Sequence, residues 1–158
     1  KKGHENIAFI STLSNLQIGK QRFLGYEKGL KNAGLKFNPN LVIDIFEKDY
    51  KKYETILAPL FKNNKIDSVI ALGESAAIAA MKAAIKNGLD IPIDISVIAF
   101  SNGILARHSS PKLTTVSQHG EIMGETAAKI LIEKLEKKQT QIITKVIKTD
   151  LVIRNSTR

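Results

Sequence analysis

The sequence predicts an α/β domain, a Rossmann-like parallel sheet with flanking helices, and three observations carry that reading. Apolar runs of strand length alternate with longer segments of helical period, the pattern of strands joined by crossover helices. At 158 residues and 43% hydrophobic composition, the chain is the size of one ordinary domain with one core. It holds no cysteine, which excludes a disulfide scaffold and a thiolate metal site. With 25% charged residues and no apolar run near the roughly 18 to 20 residues of a bilayer span, membrane insertion is excluded as well.

Taken in order, Asn6 to Ser11 reads as the first strand. Gln17 to Ala33 follows as a helix with Phe23, Tyr26, Leu30 and Ala33 on one stripe and Gly34 as its stop. Leu41 to Ile45 is the second strand, after the turn signal Asn38-Pro39-Asn40, and a helix spans about Asp49 to Phe61, where Pro59 should bend or shorten it. Ser68 to Leu72 is the third strand and leads through Gly73 into an alanine-rich helix, Ser75 to Asn87. That helix is apolar nearly all round, with Ala76, Ala79, Ala80 and Ala83 on one side and Ile78, Met81 and Ile85 on another, so it demands a packing partner besides the sheet. Ser96 to Phe100 is the fourth strand, and the segment up to Lys112 has loop composition. Thr114 to Gln118 is a short extended link into a helix of about Gly120 to Lys137. Met123, Ala127, Leu131 and Leu135 form its apolar stripe, and Glu125, Lys129, Glu133 and Lys137 a solvated stripe of i,i+4 pairs. Ile142 to Ile147 and Leu151 to Ile153 close the chain as β-type segments.

The formal charge of +9 suggests a phosphate-binding surface only if the cations cluster, and they do not. They are scattered among acids, so the expectation is a lysine-solvated surface with no direct nucleic-acid contact by these residues. His4, His108 and His119 have no metal-ligand spacing, and no glycine-rich nucleotide loop follows a strand. No metal and no cofactor are therefore expected. The first residue is Lys1 and no export leader follows it, so a cytoplasmic setting is expected.

In an open parallel sheet a ligand sits beyond the carboxyl ends of the strands. That rule selects Ser11 to Arg22 after the first strand, Phe46 and Glu47 after the second, Gly73, Glu74 and Ser75 after the third, and Ser101 and Asn102 after the fourth. Arg22 stands out, because only four of the 24 basic residues are arginine and a planar fork suits bidentate grip on vicinal hydroxyls or a carboxylate. A surface ion pair with Glu27 is its structural alternative. Phe46 offers an apolar face to a sugar or base, or caps the core; Ser101 and Asn102 bond a ligand or satisfy a turn. The string from Gly73 to Ala77 sits where a hydrolase places its nucleophile elbow, but it lacks the last glycine, an oxyanion segment and an oriented histidine. Helix N-capping by Ser75 is the preferred reading there.

Six motifs in order give the chain an end-to-end resemblance to a family. Gly3-His4 precedes Ile7-Ala8-Phe9-Ile10; Arg22-Phe23-Leu24-Gly25-Tyr26 opens a helix; Ile91-Pro92 leads through Asp94-Ile95-Ser96-Val97-Ile98-Ala99-Phe100. Leu113-Thr114-Thr115-Val116 with Gln118, Met123-Gly124 with Ala127-Ala128, and Leu151-Val152-Ile153-Arg154 with Ser156-Thr157 complete the set. The chain resembles the C-terminal part of the effector-binding, periplasmic-binding-protein-like region of LacI-type bacterial transcription regulators.

The resemblance implies residues 1–113 and 141–158 in the C-terminal lobe of a two-lobed core, and residues 114–140 as a crossover and a helix of the N-terminal lobe. Most of that first lobe and a helix-turn-helix domain then lie outside the chain, and the apolar stripe of the 120–137 helix is left exposed. It implies effector binding by Arg22, Phe46, Ser101, Asn102, Glu74, Gly73, Gln118, Ile18 and Leu16. Arg22 and Phe46 match effector-contacting positions of the lac and purine repressors. Leu16, Ile18, Ser101 and Glu74 depart from the purine repressor's pattern and leave a sugar or sugar derivative as the expected effector. It further implies a homodimer through Ala76, Ala77, Ala80, Ser109 and Ser110, and operator DNA reached only through the absent domain. The rivals are a sugar-binding component of a transporter, which shares the fold, and an α/β hydrolase using Ser75.

Overall fold

The computed structural model describes residues 3–63, 65–138 and 140–158. Six strands form one sheet in the order β2-β1-β3-β4-β5-β6. They are β1 (Ile7–Ser11), β2 (Val42–Asp44), β3 (Ser68–Ala71), β4 (Ser96–Phe100), β5 (Thr114–Ser117) and β6 (Asp150–Val152). The first five run parallel, and β6 pairs antiparallel with β5, Thr115 opposite Val152. The α/β reading holds. Thr114 to Gln118 is more than a link, because β5 is a full member of the sheet with Thr114, Thr115 and Ser117 buried.

Alternation along the strands sends neighbouring side chains to opposite faces. Ala8, Ile10, Val69, Ala71, Val97 and Ala99 face one way, against α2 (Tyr53–Asn63), α3 (Glu74–Lys86) and α4 (Ile104–His108). Phe9 and Leu72 face the other, against α1 (Gln17–Asn32), where Phe9 stacks on Tyr26 at 5.0 Å between ring centroids and meets Phe23 edge-on. This split follows from connection handedness: the first crossover steps to one side of β1 and the later ones to the other, so right-handed crossovers put α1 alone on its face.

Several expectations need correction. Residues 50–52 form a 3-10 turn capped by the Asp49 carboxylate, and α2 begins only at Tyr53. Pro59 does not end α2, which continues to Asn63; burial of Leu57, Leu60 and Phe61 outweighs the one backbone bond that proline removes. Loop composition after β4 conceals the short helix α4. Residues 140–149 are not a strand: they have no regular structure, and Ile142 and Val146 are exposed because no strand runs beside them.

The second partner demanded by the alanine-rich helix is found inside the chain. It is α2, with α4 beside it, and the small side chains let these helices approach closely. Ala76, Ala77 and Ala80 are therefore buried within the chain, and the expectation that these three meet a second copy is corrected.

Helix α5 (Gly120–Glu136) behaves differently, having no buried residue. Met123, Leu131 and Leu135 are exposed as expected, whereas no ion pair forms along its charged stripe among the described residues. On the α1 side the sheet is likewise incomplete. Ile70, Ile98 and Val116 are only half-buried and floor an open apolar hollow of about 580 Å³ beside Tyr26.

After β6 the chain turns back beneath β4 and β5. Ser156 Oγ donates to the Val97 carbonyl at 2.6 Å and accepts from the Thr114 N–H at 2.8 Å, with Ser156 fully buried. Ser156→Ala strands a buried donor and a buried acceptor at once. It is expected to destabilise the domain by about 2–4 kcal/mol, read as a lowered midpoint in urea unfolding at unchanged m-value.

Candidate functional site

Each parallel strand delivers its following loop to the same edge, so the nine residues implied as effector contacts all lie at carboxyl ends of strands. Leu16, Ile18 and Arg22 follow β1, Phe46 follows β2, Gly73 and Glu74 follow β3, Ser101 and Asn102 follow β4, and Gln118 follows β5. Beyond that shared edge, the contacts sort them into groups.

Arg22 is the centre of the first group. Its Nη2 donates to Gln118 Oε1 at 2.7 Å, across 96 residues of sequence, and its guanidinium lies over the Phe100 ring at 4.5 Å from the centroid. The structural alternative, a surface ion pair with Glu27, does not form; Arg22 instead meets an amide and an aromatic face. Burial pulls the Arg22 guanidinium below its ordinary value, yet so strong a base stays charged. A half-buried cation resting on a π face, with one hydrogen bond among the described residues, keeps most of its donors for another group. Ile18 lines the apolar hollow next to Arg22, and Leu16 caps the start of α1; both are about half exposed.

The loop after β4 is the second group. Ser101 has φ of 115°, in the left-handed region that residues other than glycine seldom occupy. Its N–H donates to the Val116 carbonyl at 3.2 Å. Asn102 Oδ1 accepts from Arg154 Nη2 and from Thr115 Oγ1, and the Asn102 carbonyl accepts from Arg107 Nη2 at 3.0 Å. The Gly103 N–H donates to the Glu74 carboxylate, which lies across the start of α4. Ser101 and Gln118 share a polar hollow of about 460 Å³ with Arg107, Ser117 and His119. Glu74 and Asn102 are thus already engaged by the protein.

Phe46 stands apart. It is 76% exposed, which corrects the core reading, and it makes no ring or cation contact among the described residues. Next to it, the Asp49 N–H and the Lys52 ammonium hold the Glu47 carboxyl below its usual range. Gly73 is the N-cap of α3, so Ser75 lies inside the helix and is not its cap, again against expectation. The exposed hollow around Ser75 is lined by Tyr50, Lys51, Glu54, Ile78, Lys82 and Leu105 among others, with no imidazole to act as a base. Among the described residues no group of three or more His, Asp or Glu side chains could hold a metal ion, and no helix is long and apolar enough to cross a membrane.

Sequence reasoning missed three residues here. The sequence places Phe100 in a strand and a motif but not in the site, although alternation puts it on the same face as Phe9 and toward α1. Arg107 and Arg154 escaped notice as site residues, yet the scarcity of arginine that singled out Arg22 applies equally to them.

The fold and the edge define a class: a Rossmann-like α/β lobe with polar residues at the carboxyl ends of its parallel strands. The chain belongs to the periplasmic binding protein-like domain family, whose model matches residues 1–157. Its curated relatives are LacI-family helix-turn-helix regulators. It is 35% identical over 158 residues to the HTH-type transcriptional regulator RegA of Clostridium saccharobutylicum, with 99% of this chain and 48% of the relative covered. It is 31% identical over 156 residues to the repressor PurR of Pasteurella multocida, with 99% and 47% covered. Among solved structures, a CelR–cellobiose complex superposes with a TM-score of 0.87 at 27% identity, covering 98% of this chain and 47% of that one. A LacI-type regulator of Bacillus cereus gives 0.88 at 25%, covering 99% and 55%. The chain spans about half the length of the curated relatives it matches.

A Cβ on Gly103 would lie 2.9 Å from both Glu74 carboxylate oxygens, which form the far end of a flexible side chain. Gly103→Ala is therefore expected to displace Glu74 rather than the backbone, at the loss of one charge-assisted hydrogen bond. Thermal unfolding should show a loss of about 1–3 kcal/mol, and Glu74→Ala in the Gly103→Ala background should cost little more.

Proposed function

We propose that this chain is one wall of the effector cleft of a ligand-controlled, DNA-binding transcription regulator, and that the effector is a sugar or sugar derivative. The observation that carries the reading is Arg22: a guanidinium seated on Phe100, tied to Gln118 and otherwise uncommitted, at the edge where such sheets take ligands. A planar fork of donors, the Gln118 amide, the Ser101 hydroxyl and the exposed ring of Phe46 suit a compact polyhydroxylated ring with apolar faces. The cellobiose named with the CelR structure supports the same class. Glu74 and Asn102, already bonded within the chain, act on the loop rather than on the ligand. No bond is made or broken, and the protein works in the cytoplasm.

Two unpartnered apolar surfaces support the rest of the reading. The exposed stripe of α5 and the open half of the sheet's α1 face each need cover, and the relatives are about twice as long. Residues 120–136 then belong to a second lobe, and residues 118–119, 137–138 and 140–149 are connectors between lobes. Effector held between the lobes shifts their relative orientation through its differential affinity for the closed state, and so the spacing of DNA-reading domains in a homodimer. With the three alanines buried, the dimer surface is the outward side of α3 and α4, with Ile78 and Leu105, continued by Ser109 and Ser110.

Titration of the intact regulator with a panel of mono- and disaccharides that includes cellobiose tests this. One sugar is expected to change operator affinity, and Arg22→Ala to abolish that response while leaving thermal unfolding within about 1 kcal/mol of wild type. An unchanged response would return Arg22 to a purely structural part. The chain alone is expected to bind the same sugar weakly or not at all, and tight calorimetric binding would contradict the two-lobe reading. For the dimer, Ile78→Glu in the intact regulator is expected to halve the mass seen by light scattering; a dimer that persists would exclude this surface.

A further inference from the structure

The loop that presents Ser101 is held in an unfavourable backbone conformation, so something outside it must fix it there. Besides the Val116 carbonyl, Arg107 and Glu74, the hydrogen bonds identify a holder in the chain's last segment. Arg154 follows β6, the strand that returns from the α5 excursion. Its Nη1 donates to the Leu113 carbonyl at 2.7 Å and to Thr115 Oγ1 at 3.1 Å, while its Nη2 donates to Asn102 Oδ1. One planar guanidinium thus spans β5 and the loop after β4. Its own backbone N–H is fixed on Thr114 Oγ1 at 2.9 Å, and Thr114 Oγ1 is also 2.9 Å from Thr157 Oγ1. The fork is therefore seated on a segment that Ser156 pins in the core. A lysine could not replace it, because a single ammonium cannot reach three acceptors in one plane.

From this geometry we propose that Arg154 is a positioning residue for the effector cleft: through Asn102 it holds Ser101 in place and joins the effector loop to the segment returning from α5. The proposal rests on the effector reading above and deepens it. Asn102 is then a relay whose side-chain oxygen faces Arg154. The returning segment and the loop move together, so occupancy at Ser101 and the path of the connector are two readings of one rigid unit.

Amide hydrogen exchange on this chain, without any ligand, is the primary test. Arg154→Gln is expected to speed exchange of the Ser101 and Gly103 amides by about tenfold or more while leaving the Ala8 and Val69 amides of the core unchanged. Asn102→Ala should match it, and the double variant should add nothing further. Asn102→Asp keeps the acceptor and should stay protected, and Arg154→Lys should fail to protect. Protection that survives Arg154→Gln, or a uniform rise across β1 and β3, would overturn the proposal, the second because it marks general unfolding.

A second arm uses the intact regulator titrated with cellobiose. Asn102→Asp is expected to retain the wild-type midpoint and Arg154→Gln to raise it about tenfold or more. An Asn102→Asp variant that loses the response as fully as Asn102→Ala would make Asn102 a direct contact and overturn the relay. A wild-type regulator indifferent to cellobiose and to every other sugar of the panel would refute the effector class instead, and the exchange result would still decide the part played by Arg154.

Discussion

A parallel sheet hides its hydrogen bonds and its apolar side chains only when helices cover both faces, and in this chain one face is complete and the other is not. Behind the sheet, α2, α3 and α4 close over Ala8, Ile10, Val69, Val97 and Ala99, all fully buried. In front, α1 covers Phe9 and Leu72 and stops, leaving Ile70, Ile98 and Val116 half-buried. The chain nevertheless contains another amphipathic helix of sufficient length, and that helix, α5, carries its apolar stripe away from the sheet. A surface lacking a helix and a helix lacking a surface are the same constraint seen twice. The exposed Leu131 and Leu135 of α5 and the half-buried Ile70, Ile98 and Val116 of the sheet are its two sides.

The same topology makes the site. Because the crossover from β1 goes to one side and the crossover from β3 to the other, their loops diverge at the carboxyl edge between the two strands. Arg22 reaches from α1 across to Phe100 of β4 and Gln118 after β5, and Glu74 stands at the start of α3. Strands β4 and β5 extend the edge with Ser101 and Gln118. The Arg22–Gln118 hydrogen bond then links the first loop to the fifth, and the Glu74–Gly103 bond links the third to the fourth. The edge is a bonded rim rather than a row of independent side chains.

Much of this was legible in the residues. Strand-length apolar runs gave four parallel strands in the right order of chain, and the carboxyl-edge rule gathered the residues that the structure brings to one side. What could not be read was the cost of competing interactions. Pro59 reads as a residue that bends or shortens its helix until the burial of Leu57, Leu60 and Phe61 is known. An alanine-rich helix that looks like an interface is explained once α2 lies on it, because small residues serve close packing within a chain as well as between chains. Ile142 to Ile147 has strand composition, yet a strand exists only beside another, and neighbours are not written in local sequence. Arg154 stands in a motif of the sequence, while its three acceptors come from two distant segments that only the fold brings together.

The left-handed backbone at Ser101 ties these points together. Such a conformation costs about 1–3 kcal/mol in a residue with a β-carbon, so it persists only where its surroundings over-determine it. Here the surroundings are the Val116 carbonyl, Arg154, Arg107 and Glu74, which engage Ser101, Asn102 and Gly103 one after another. Arg22 is fixed in the same way, by a ring beneath it and an amide beside it. Both groups have therefore given up their freedom before any ligand arrives, and a ligand meets little further ordering cost at this wall.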